Sequence, residues 1–223
     1  MLKTSKFFVF FLAIFSLNAC GTIASYKTAK ITKSGKPEFT IGASLQKVPF
    51  HNKAYDDDPQ NLSIVLPDFA IWSRLKSSNN KYDGGINFSI PYGVQGVLRR
   101  HLVKNKGYMP ESTIGILGRR YGGASIIGDP LFYSSFTDIG FPVYLSWDVN
   151  FPKKWTIYTN FIPVLRRYKY DTAFDKSTYD FEEYLYGIQF TVGLKLWNII
   201  IEYNTLTLND NKFHTQTGIA YVF

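Results

Sequence analysis

The side chains able to do chemistry are few. Three histidines, His51, His101 and His214, stand among 17 aspartates and glutamates, and Cys20 is the only cysteine. His214, Glu202 and Asp210 fall close together near the C-terminus, a set that could move a proton in a hydrolysis. The run Asp56-Asp57-Asp58 offers oxygen ligands to a cation, although three adjacent carboxylates in a polar stretch read first as a solvated acidic loop. A single cysteine can neither close a disulfide nor build a Cys-x-x-Cys metal site. No phosphate-cradling glycine loop occurs, so the expectation is no cofactor and no metal.

What would position these groups is a series of long alternating runs. From Tyr184, every second residue gives Tyr184, Tyr186, Ile188, Phe190, Val192, Leu194 and Leu196 on one face. The opposite face carries Glu183, Leu185, Gly187, Gln189, Thr191, Gly193 and Lys195. A period of two held that long is a β-strand. Ile199 to Leu208 and Phe213 to Phe223 continue the pattern, and Ile139 to Val149 and Trp155 to Leu165 repeat it upstream. Such strands exceed the usual five or six residues of soluble sheets and approach the roughly 9 to 11 that cross a bilayer obliquely. Weaker runs begin near Phe39, Asp68, Ile86, Val94 and Ile114, which brings the expected count to about ten, with eight possible. The fold class predicted is all-β, an up-and-down antiparallel transmembrane β-barrel over residues 38–223, because strands cross lipid only as a closed ring. The rival arrangement with the same period is a surface β-sandwich.

The N-terminus reads as an export signal. Lys3 and Lys6 precede the apolar run Phe7 to Leu17, too short to remain as a spanning helix. Leu17-Asn18-Ala19-Cys20 resembles the bacterial lipobox, with Asn18 departing from the usual small residue. The resemblance implies cleavage after residue 19 and a thioether-linked diacylglyceryl group plus an acyl chain (palmitate, for example) on Cys20, a lipoprotein anchor that Gly21 permits in the outer membrane. Several acyl chains hold a protein stably where one does not. Residues 20–37, polar and basic, then read as a lipidated tether. Removing Lys3 and Lys6 takes the formal charge from +8 to +6. These cations are scattered, which argues against nucleic acid and for contact with outer-membrane lipid and lipopolysaccharide headgroups.

Connection lengths orient the barrel. With the C-terminus on the periplasmic side, the turns at 77–81, 104–110, 150–154 and 197–198 are short and periplasmic, while the long connections at 47–67, 119–135 and 168–180 lie outside; two outer connections, 91–93 and 209–212, are short, so the asymmetry is partial. Trp147, Phe151, Trp155, Trp197 and Phe223 gather near the periplasmic ends as an interfacial girdle. The ending Ile219, Tyr221, Phe223 resembles the terminal signal of bacterial outer-membrane β-barrels, which implies recognition by the barrel-assembly machinery.

On this reading Arg74, Asn87, Asp138, Tyr144, Asp148, Asn160, Arg166, Glu183, Gln189, Lys195, Glu202, Asn204, His214 and Gln216 face the lumen. A barrel of eight to ten strands is barely wider than its side chains, so a hydrogen-bonded polar plug is expected rather than an open channel. Omptin-type proteases use an Asp-x-His spacing, which is absent here, and lipid A deacylases pair His with a serine two residues on, where this chain has Gln216 after His214 and Thr215. The function expected is therefore a non-enzymatic outer-membrane lipoprotein of the Gram-negative cell envelope, structural or interacting through its outer loops. The alternatives are a narrow solute channel and a lipid- or peptide-hydrolysing enzyme.

Overall fold

The computed structural model describes residues 24–30, 32, 36–50, 60–75, 81–89, 93–104, 108–125, 132–149, 155–174, 177–209 and 213–223. Cys20, the segment 1–19, His51, Asp56 to Asp58, Phe151 and Asp210 lie outside these residues.

Eleven strands follow one another: β1 (Glu38–Phe50), β2 (Gln60–Arg74), β3 (Tyr82–Ser89), β4 (Gly93–Val103), β5 (Glu111–Ser125), β6 (Phe132–Gly140), β7 (Val143–Val149), β8 (Trp155–Phe174), β9 (Ser177–Leu196), β10 (Ile199–Leu208) and β11 (Phe213–Val222). Each pairs antiparallel with its neighbours, and β1 pairs with β11, from Thr40 opposite Val222 to Lys47 opposite Thr215, which closes the ring. β6 and β7 form one passage, since both lie between β5 and β8. Pro142 interrupts that passage because it has no amide to give to a ladder. Phe141 and Gly115 carry the register across the break, through Phe141 N–H to Pro163 O and Gly115 N–H to Pro142 O. The result is a closed ten-passage antiparallel barrel, the upper of the two strand numbers that the alternation allowed.

Alternation becomes two chemically distinct surfaces. Outward-facing Ile41, Ile71, Ile86, Leu98, Ile116, Ile139, Ile157, Phe161, Ile188, Phe190, Ile201 and Ile219 are all exposed and ring the barrel as an apolar belt. A sandwich would bury this face between two sheets. Water would be a poor solvent for a belt of this extent, whereas hydrocarbon requires one. Tyr184 and Phe190 stand in the belt fully outward, and Leu145 is half-exposed on the same face.

The two ends differ. At one, the turn end, lie the two-residue link Trp197–Asn198, the start of β1 and the C-terminal Phe223; Trp197 takes a left-handed φ of 53° to make the turn. At the other, the hairpin end, pairing continues well past the belt. β1–β2 remains paired to Phe50 opposite Gln60, β5–β6 to Ser125 opposite Phe132, and β8–β9 to Phe174 opposite Ser177. The stretches 47–67, 119–135 and 168–180, expected as loops, are therefore largely strand, with only residues 51–59, 126–131 and 175–176 between the paired arms. Period-two hydrophobicity ends where the belt ends, but backbone hydrogen bonding does not need it to continue.

Candidate functional site

The lumen is occupied by a stretch of the chain that precedes β1. Ala24, Ser25, Tyr26, Lys27, Thr28, Ala29 and Thr32 are all buried, although none is in a helix or strand. A segment without regular structure cannot satisfy its own amides and carbonyls, so if buried it must find partners on the surroundings. The barrel wall supplies them one by one.

At mid-depth, Glu202 on β10 takes two consecutive amides, Ser25 N–H on Oε1 at 2.8 Å and Tyr26 N–H on Oε2 at 2.9 Å. The same carboxylate accepts Tyr158 O–H at 2.6 Å and Asn204 Nδ2 at 2.9 Å. Beside it, the Ala24 amide donates to Gln216 Oε1 and the Ala24 carbonyl accepts from Asn87 Nδ2, each at 3.1 Å. Tyr26 has a left-handed φ of 47°, a costly conformation for a bulky residue. It is held from both sides: its amide on Glu202 and its phenol donating to Asp68 Oδ2 at 3.0 Å, an oxygen that Ser44 also reaches at 2.8 Å.

Toward the turn end the segment is held by charge. Arg99 on β4 grips Asp83 on β3 with two hydrogen bonds of 2.9 and 2.6 Å and donates to the carbonyls of Thr28 and Lys30 at 2.7 and 3.1 Å. The Arg99 guanidinium also lies 4.7 Å from the Trp72 ring and 4.9 Å from the Tyr144 ring, so aromatic surface adds to the carboxylate and carbonyls that hold the cation. Asp83 also receives the Thr32 amide at 2.9 Å, Thr113 donates to the Ala29 carbonyl, and Arg74 donates to the Thr32 carbonyl at 2.7 Å. Lys27 pairs with Glu38, and Lys30 with Asp148. The chain thus descends from Ala24 at mid-lumen to Thr32 at the turn end, where β1 begins.

Toward the hairpin end lies a second cluster built from wall residues. Asp138 on β6 receives Arg119 Nε at 2.6 Å and Arg166 Nε and Nη2 at 2.8 and 2.9 Å, and Arg119 Nη1 continues to Gln189 Oε1 at 2.6 Å. One carboxylate between two guanidiniums leaves a net positive layer that the neutral Gln189 partly solvates. An apolar patch of Leu117, Ile162, Val164, Leu185, Leu206 and Leu208 is also buried on the inner surface.

The residues expected to face the lumen separate into these layers. Glu202, with Asn87, Asn160, Asn204 and Gln216, lies in the middle layer and meets the segment; Asp138, Arg166 and Gln189 form the layer above; Arg74, Asp148 and Lys195 lie at the turn end. Glu183 and His214, half-exposed, stand on inward rows nearer the hairpin end, with His214 opposite Leu206. Glu202 and His214 sit on different levels, and Glu202 already accepts from Ser25, Tyr26, Tyr158 and Asn204, so the two are not brought together as a pair. His101 lies elsewhere, its Nε2 3.0 Å from Glu111 Oε1. Among the described residues no three His, Cys, Asp or Glu side chains converge as a metal site.

Sequence reasoning missed Asp68, Asp83, Arg99 and Arg119 as lumen groups. Gln95, Val97, Arg99 and His101 do form one row opposite Val94, Leu98 and Leu102, and that row was the available signal. Residues 24–30 and 32 read as part of a tether; nothing in their order announces that they lie inside the barrel.

No protein-family model matches the chain, and no curated protein is similar to it in sequence. Solved structures are similar in fold. The translocator domain of the autotransporter NalP from Neisseria meningitidis aligns over 99% of this chain and 95% of its own at 8% identity, with a TM-score of 0.46. The outer membrane protease OmpT from Escherichia coli aligns over 89% and 100% at 12% identity, with a TM-score of 0.43. Ail, the attachment invasion locus protein of Yersinia pestis, aligns over 86% and 100% at 12% identity, with a TM-score of 0.35.

Proposed function

We propose that this chain is an outer-membrane barrel lipoprotein of the Gram-negative envelope, anchored through Cys20, sealed by its own N-terminal segment, and acting without catalysis through the hairpins that stand beyond the bilayer. The observation that carries this reading is the occupied lumen. A segment whose main chain is bonded to Glu202, Asn87, Arg99, Asp83, Thr113 and Arg74 fills the space a solute would have to cross. The apolar belt supports the membrane, the terminal Ile219-Tyr221-Phe223 supports assembly into the outer one, and the long paired arms of β1–β2, β5–β6 and β8–β9 are the parts available to a partner outside.

Full-length protein in a planar bilayer is expected to give no conductance above that of the bare membrane. A steady ohmic current from the unaltered protein overturns the sealed reading in favour of a channel. The anchor is tested separately: metabolic palmitate labelling is expected to vanish in Cys20→Ser, and labelling that persists removes it.

A further inference from the structure

A cavity of about 640 Å³ opens at the turn end, within the roughly 300–1,000 Å³ typical of ligand sites. Four ammonium groups line it: Lys27 and Lys30 from the luminal segment, Lys36 from the link into β1, and Lys195 from the end of β9. Among the described residues Glu38 is the one side-chain carboxylate in the lining, paired with Lys27; Asp148 meets Lys30 from just beyond it, and Phe223, which also lines the cavity, carries the α-carboxylate of the last residue. Even counting all three acids, positive charge prevails by one. The cations come from three separate stretches of chain, so their convergence is a product of the fold and not of a basic run.

The rest of the wall is of another kind. Phe39, Trp197 and Phe223 border the same cavity and are exposed on the outside of the barrel, where the apolar belt reaches its edge. Tryptophan at that height marks the depth of lipid headgroups. The cavity therefore joins a cationic pocket to a hydrocarbon-facing surface, which suits a ligand that is anionic at one end and apolar at the other. The hydroxyls of Thr28, Thr32 and Thr156 add donors beside the lysines. Lysine, a point charge with freely turning donors, fits a phosphate that approaches from several directions and does not demand the planar fork of arginine.

We propose that this cavity binds the phosphate group of an anionic phospholipid from the adjacent leaflet, with its acyl chains continuing down the Phe39 side of the β1–β11 seam. The proposal rests on the transmembrane reading above. Full-length protein purified in neutral detergent is offered equimolar phosphatidylglycerol and phosphatidylcholine, and the lipid retained after detergent washing is quantified by mass spectrometry. The wild type is expected to retain phosphatidylglycerol more than tenfold over phosphatidylcholine. Lys36→Gln and Lys195→Gln, which leave the Lys27 and Lys30 ion pairs in place, are each expected to cut that preference about fivefold. Equal retention of the two lipids by the wild type, or a preference unchanged in both variants, overturns the site. Inorganic phosphate at millimolar concentration separates the sources: displacement of the lipid supports a site for phosphate as such, and its failure supports one for the whole headgroup. Heat-modifiable gel migration is followed in every sample. Its loss in the wild type would sink the barrel reading, while its presence without lipid preference sinks the lipid site alone.

Discussion

The hydroxyl of Tyr26 lies where Gly218 leaves it room: a Cβ built on Gly218 would come within 2.3 Å of that oxygen. Gly42 stands on the neighbouring strand, where an added Cβ would approach the Tyr26 ring to 3.2 Å. The two glycines make a slot in the wall, and the ring of the luminal segment fills it. Valine suits a strand at position 218 but not this neighbour. Gly218→Val is expected to keep the barrel, judged by heat-modifiable migration, and to expel the segment. Trypsin, which has no access to the buried Lys27 in the wild type, should then cut after it, and mass spectrometry of the fragments checks this. An uncut Lys27 in a folded Gly218→Val protein would mean that the slot does not hold the segment.

Glu202 is the group on which the segment hangs. Glu202→Gln keeps the shape but replaces one accepting oxygen with a donor that faces an N–H or O–H of Ser25, Tyr26 or Tyr158. Hydrogen bonds to charged groups are each worth about 1.5–3 kcal/mol, so a loss on the order of 3 kcal/mol is expected. Denaturant unfolding in micelles measures it, and the variant should also conduct in a planar bilayer where the wild type is silent.

Asp138 is the carboxylate that bridges two buried arginines. Asp138→Asn leaves Arg119 and Arg166 with no counter-charge between them, and breaking a buried pair in this way costs about 3–5 kcal/mol. Its unfolding midpoint should fall further than that of any single substitution on the belt. A midpoint within error of the wild type would show the arginines to be solvated by other means.

Arg167 and Glu182 provide the contrast. They pair with two hydrogen bonds of 2.8 Å on the outer surface of β8 and β9, where Arg167 stands opposite Tyr184 at the edge of the belt and Glu182 just beyond it. Hydrogen bonds from Arg167 and then Tyr184 hold the Glu182 carboxyl down at about 2. A depressed carboxyl contributes stability that is fully present above its unfolded value, roughly 4.3, and is lost as pH falls through about 2. Both partners are exposed to solvent, so the contribution is small. Arg167→Ala is expected to leave the unfolding midpoint nearly unchanged while raising the Glu182 titration midpoint toward the ordinary carboxylate value, read by carbon NMR of its side chain.

The walls of this molecule were legible in the sequence, and its contents were not. Ile139 to Val149, Trp155 to Leu165 and Tyr184 to Leu208 announce which side each residue takes, because lipid and lumen impose opposite polarity on alternate positions. Beyond the belt that contrast vanishes, so the paired arms of β8 and β9 past Arg167 read as loop. Residues 24–32 carry no periodicity at all. Their hydrogen bonds go to Gln216, Glu202, Asp83, Arg99 and Thr113, residues up to 192 positions away that only ring closure brings to one axis. Arg99 and Asp83 were hidden for a related reason. Arg99 is followed by Arg100, which puts a charge on both rows of β4 and hides which one faces inward, and its partner Asp83 lies on a different strand.

Gly42 and Gly218, which cradle Tyr26, belong to β1 and β11, the first and last strands, whose pairing completes the ring. The aromatic ring therefore sits against the very seam where the sheet joins its own beginning. The slot for Tyr26 exists only once β1 and β11 are paired, so the luminal plug and the closure of the ring depend on each other, much as a keystone and its arch do.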